Sequence, residues 1–111
     1  DDIWGGYVVK KLMDLRGDLF AYGKPVVAHT KQTPLERVVV MEHWMHLMSM
    51  GFYGLIDQAV DSVTPGSYTE MFAHLVEELH RAISSSALPS HYLWTYRELV
   101  DWMGRWSRAF L

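Results

Sequence analysis

From Thr33 to the end of the chain, apolar residues recur every three or four positions, and only two short clusters of serine, proline and glycine interrupt them. That is the period of a helix with one buried face. The interruptions at Thr64–Pro65–Gly66 and at Ser84–Ser85–Ser86 with Pro89 divide the stretch, so the spacing predicts three helices. The first opens on Thr33–Pro34–Leu35–Glu36, which reads as a capping box with proline at the first helical position. It runs to about Val63, with a bend allowed near Gly51 and Gly54. The second opens on the box Ser67–Tyr68–Thr69–Glu70 and carries Met71, Leu75, Leu79 and Ile83 on one side. Ser90 caps the third, which reaches about Phe110 with Leu93, Tyr96, Leu99, Val100, Met103 and Trp106 as its apolar face.

The chain before Thr33 reads differently. Trp4, Tyr7, Val8, Lys11, Leu12 and Leu15 keep a helical period over Ile3–Arg16, with Asp2 as N-cap and Gly17 as stop. Gly5 and Gly6 weaken that helix, each by about 1 kcal/mol relative to alanine. Leu19, Phe20 and Tyr22, the turn Gly23–Lys24–Pro25, then Val26 and Val27 read as two short extended segments. The expected fold class is therefore mainly α, with a short two-stranded β element near residues 18–30 followed by three helices.

Composition narrows the function classes. The 111 residues suffice for one core, and 50% hydrophobic against 21% charged residues excludes a disordered chain. A formal net charge of −3 gives no electrostatic reason to expect nucleic acid as a partner. The absence of cysteine excludes disulfides and thiolate metal sites, which favours a cytoplasmic setting. The longest apolar run, Leu47–Ile56, is about half of a bilayer span, so no transmembrane segment is expected. The opening on Asp1–Asp2, without methionine, reads as the tail of a longer α/β protein.

Three features of the first 31 residues stand at suggestive distances: Asp1–Asp2–Ile3–Trp4–Gly5–Gly6, then Gly23–Lys24–Pro25, then His29–Thr30–Lys31. Together they resemble the end of the catalytic domain of a GT-A type glycosyltransferase, in particular the reversibly glycosylated polypeptide family, the UDP-arabinopyranose mutases. The resemblance covers about a quarter of the chain. It implies that residues 1–31 close a GT-A like domain and that 32–111 form a helical C-terminal region. It implies catalytic roles for Asp1 and Asp2 at the acceptor sugar and a pocket wall at Trp4. His29 would be a ligand for a divalent cation, Mn or Mg, and Lys31 would neutralise the diphosphate of a nucleotide sugar. Such a fragment would be inactive alone, because the cation and donor need the N-terminal half that carries the Asp-x-Asp site. Beyond Lys31 the resemblance ends. Asp2 as a plain helix cap and His29 and Lys31 as solvated surface residues are the competing readings.

Two other clusters hold metal-ligating residue types, Glu42 with His43 and His46, and Glu77 with His80. A carboxylate-bridged di-iron site needs the Glu-x-x-His motif twice with two further glutamates. The motif occurs here once, so both clusters read as polar helix faces. Met41, Met45, Met48 and Met50, mixed with Trp44, Leu47 and Phe52, read either as core filler or as a soft docking surface. Two functions follow. One is the C-terminal portion of a nucleotide-sugar-dependent glycosyltransferase or sugar mutase. The other is an all-helical interaction module whose aromatic and methionine surface meets a partner protein or forms a helix-mediated oligomer.

Overall fold

The structure, a computed structural model, describes residues 2–28, 30 and 33–110. Four helices account for most of them: α1 (Asp2–Arg16), α2 (Leu35–Val60), α3 (Tyr68–Ser85) and α4 (Ser90–Arg108). The helix α3 sits between α2 and α4, while α1 lies on α2 and touches α3 at its edge.

Each helix is explained by where its apolar residues fall. Helix α1 buries Trp4, Val8 and Leu12, one residue per turn, with Tyr7 and Leu15 packed at the margin. Gly17 ends it at φ +79°, a conformation open to glycine and strained for other residues. The Asp18 N–H then bonds to Met13 O and the Gly17 N–H to Asp14 O, which is the Schellman pattern. Helix α3 opens on the expected box: the Glu70 N–H bonds to Ser67 Oγ, and the Ser67 N–H returns to the Glu70 carboxylate. It buries Met71, Leu75, Val76, Leu79, Ala82 and Ile83. On α4 the buried line is Leu93, Tyr96, Val100, Gly104 and Ser107. Gly104 faces α3, where a methyl group would stand at ordinary contact distance, 3.4 Å, from Val76 Cγ1.

Aromatic rings tie the first, second and fourth helices together. Phe52 lies between Trp4, at 4.8 Å between ring centroids, and Tyr96, at 5.1 Å. The Trp4 indole N–H donates to Ser49 Oγ (2.8 Å), and the Tyr96 hydroxyl donates to Met48 O (2.5 Å). Gly51 is required beside that hydroxyl, because a Cβ would stand 2.8 Å from it. Among the described residues no buried side-chain polar atom lacks a hydrogen-bond partner. At the edge, Asp57 of α2 accepts from the Tyr7 hydroxyl (2.8 Å) and pairs with Lys11 (2.7 Å), joining α1 to α2. The Lys11 ammonium, then the Tyr7 hydroxyl, hold the Asp57 carboxyl below its ordinary range, and the same carboxylate raises Lys11.

Several expectations need correction. No strand is present among the described residues, so the two-stranded element expected near 18–30 does not form there. Leu19, Tyr22, Val26 and Val27 are all at least four-fifths exposed. Strand-favouring residues without a second buried face have nothing to pack against, and an isolated two-stranded ribbon is marginal in water. The Thr33 capping box also does not form. Pro34, at ψ 136°, takes the N-cap position and Leu35 is the first helical residue, one place later than expected. Likewise Pro89 rather than Ser90 precedes the first turn of α4. The helix α2 passes through Gly51 and Gly54 without interruption.

Candidate docking site

Helix α2 is longer than the bundle it belongs to. At about 1.5 Å per residue its 26 residues span about 39 Å, against about 27 Å for the 18 residues of α3. Its buried residues begin only at Met48 and continue through Phe52, Leu55, Ile56 and Ala59. Ahead of them Met45 packs at the margin of the core, and the stretch from Leu35 to Trp44 extends past it as an arm.

The arm keeps the core pattern where this chain has no core to offer. Val38, Met41, Met45, Met48, Phe52, Leu55 and Ala59 are spaced alternately by three and four residues, the a/d spacing of a helix seam. The lower part of that seam is buried, while Val38 and Met45 are half-buried and Met41 is 68% exposed. A second stripe, Val40, Trp44 and Leu47, is largely exposed, and so are Leu35, Val39 and Met50 on the remaining side. That remaining side also carries Glu36, Glu42, His43 and His46, so the arm is amphipathic and its apolar face is the one formed by the first two stripes.

A second apolar surface lies on the bundle itself. Trp4 and Val8 of α1, Phe72 of α3 and Leu99, Trp102 and Trp106 of α4 wall an open cavity of about 750 Å³. Thr95 supplies the one hydroxyl of that wall. A neighbouring hollow of about 580 Å³ shares Val9, Phe72 and Trp106 with it, which lengthens the groove toward Tyr68 and Phe110. Walls of this kind accept apolar side chains or an apolar ligand and offer no charge to orient a diphosphate.

The residues singled out in the first 31 positions fall as follows. Asp2 is exposed in the first turn of α1, and Trp4 is in the core and in the groove wall. Asp1, His29 and Lys31 lie outside the described residues. Among the described residues no group of three or more His, Asp and Glu side chains converges as a metal site. His80 instead faces Asp101 across α3 and α4 (3.4 Å), and His74 faces Glu78 one turn along α3 (3.3 Å). No described helix is long and apolar enough to cross a membrane. The groove was missed from sequence because its wall combines α1, α3 and α4. Trp102 and Phe72 were the available signals, large rings just off the buried lines of their helices.

Comparison with protein-family models, with curated proteins and with solved structures finds no match to this chain.

Proposed function

We propose that this chain is a helical interaction module and that the α2 arm is its docking surface for an apolar helix of a partner protein. The observation that carries this reading is that the α2 seam runs on through Met41 and Val38 past Met45, which still packs at the margin of the core, and leaves Met41 exposed. Exposed contiguous apolar surface of this kind marks interaction sites in soluble domains. The methionines suit the role, because their flexible thioethers adapt to a partner's knobs without a rigid pocket. A helix is the fitting occupant because the three-four spacing already presents the holes that a second helix fills.

The test places a photo-crosslinking amino acid at position 44, on the arm, and in a second preparation at position 97, on an exposed turn of α4. Both chains are irradiated in the cells that express them, and both halves of every adduct are identified from their peptides. The docking reading expects a discrete protein adduct from position 44, mapped to a helix of its partner, and none of comparable yield from position 97. Equal yields, or no adduct at 44, overturn it.

A further inference from the structure

We infer that the groove walled by α1, α3 and α4 is a binding site for a long-chain fatty acid, its hydrocarbon lying in the groove and its carboxylate at Arg105. The site is separate from the α2 arm, and its failure leaves the docking reading standing.

The wall selects a hydrocarbon. The main hollow, about 750 Å³, falls within the roughly 300–1,000 Å³ of small-ligand sites. Its single hydroxyl, that of Thr95, already donates to His91 O (3.2 Å). An extended peptide laid there would bring N–H and C=O groups to a wall with nothing to bond them, whereas an alkyl chain brings none. A helix, about 10 Å or more across, is kept from one end, where the rings of Trp4 and Tyr96 close α1 onto α4 at 6.1 Å. From Thr95 beside that closed end, the lining follows α4 through the second hollow to Phe110, about 23 Å of helix. The site is therefore long as well as apolar.

Gly5 also lines the hollow, and a Cβ there would meet nothing within 4 Å. No neighbour in the chain requires glycine at that helix-weakening position, and a ligand lying against the backbone does.

Charge places the head group. The rim of α4 carries Glu98 toward the closed end and Arg105 about two turns further on. The Arg105 guanidinium lies over the ring of Trp102 in the wall, 4.8 Å from its centroid. Asp101, one turn before it, faces His80 instead, and on α1 Lys10 is taken by Asp14. Arg105 has no ion pair among the described residues. A carboxylate is thus repelled at the closed end by Glu98 and drawn to Arg105, where it gains a charge-assisted hydrogen bond.

Isothermal titration of the full chain with dodecanoate, below its micelle concentration, tests this. Saturable binding is expected, with octanoate on the order of 100-fold weaker, since each lost methylene costs about 4-fold. Arg105→Gln weakens dodecanoate by about 10-fold and leaves the uncharged dodecanol unchanged. Arg97→Gln, a charge lost from the opposite side of α4, changes neither. Gly5→Leu fills the closed end and weakens both ligands by roughly 10-fold or more, while α1 gains helicity, so the lost binding is not lost folding. Absence of dodecanoate binding overturns the inference, as does binding indifferent to Gly5→Leu. Dodecanol bound without dodecanoate, or dodecanoate indifferent to Arg105→Gln, overturns it in favour of a neutral apolar ligand.

Discussion

Phe52→Ala lowers the unfolding free energy by about 3–5 kcal/mol, the largest loss expected from any single truncation in this chain. The ring is 1% exposed and stands between Trp4 of α1 and Tyr96 of α4, so its removal empties the junction of three helices. The backbone around the cavity is pinned by Trp4 donating to Ser49 and Tyr96 donating to Met48, which limits collapse into the space. A chain of this size melts about 4–8 °C lower per kcal/mol, so the variant melts by roughly 15 °C lower or more, or does not fold. Thermal unfolding followed by circular dichroism reads the change. A shift of only a few degrees would show that the junction does not hold the bundle together.

Raising the pH from 10 to 12 removes about 2–3 kcal/mol of stability through one hydroxyl. Burial, with a smaller contribution from neighbouring Tyr92, pushes the Tyr96 phenol up to about 12 from its ordinary 10.0, against a weaker opposing bond from the Phe52 N–H. The folded chain thus holds this proton where the unfolded chain releases it. The stabilisation is complete below pH 10 and is lost as the pH climbs through 12, at about 1.4 kcal/mol for each of the two units. Denaturant unfolding of the parent and of Tyr96→Phe across that window separates this hydroxyl from the other tyrosines, including Tyr7 and Tyr68, which are also raised. The phenylalanine variant shows the shallower slope. Equal slopes would mean that the Tyr96 hydroxyl reaches water in the folded state.

The helices were legible because their signals are local. Ser67 and Glu70 cap α3 within one turn, Gly17 stops α1, and Met71, Leu75, Leu79 and Ile83 point one way whatever surrounds them. The failures are failures of context. Leu19 to Val27 carry strand-favouring residues, yet a strand is made by its partner, and no neighbour supplies one. Thr33 lost the cap to Pro34, whose extended ψ delays the helix by a residue. On α4 the apolar face was placed through Trp106, but that ring is 59% exposed and the buried line runs through Gly104 and Ser107 instead. Small residues give no hydrophobic signal, so their place on a buried line is not legible from periodicity.

The candidate site was half legible for the same reason. The methionine group of α2 stood out in sequence as either core or docking surface, and the spacing alone does not divide those readings. Where the other helices end divides them: Met48 is 7% exposed, and Met41, two turns earlier on the same seam, is 68% exposed. The groove walled by α1, α3 and α4 left only scattered signals, the separate rings of Phe72 and Trp102 just off the buried lines of their helices.

The central claim is that the arm of α2 belongs to a partner interface and not to the folded core of a single chain. Amide hydrogen exchange, resolved residue by residue on the Met41→Glu chain without any partner, tests it most directly. Amides from Val40 to Trp44 should exchange faster than those from Leu55 to Ala59 by roughly 100-fold or more, because only the latter open with the whole bundle. Equal protection along the whole of α2 would contradict the account, since it would place the arm in the same cooperative unit as Phe52 and leave no helix free to dock.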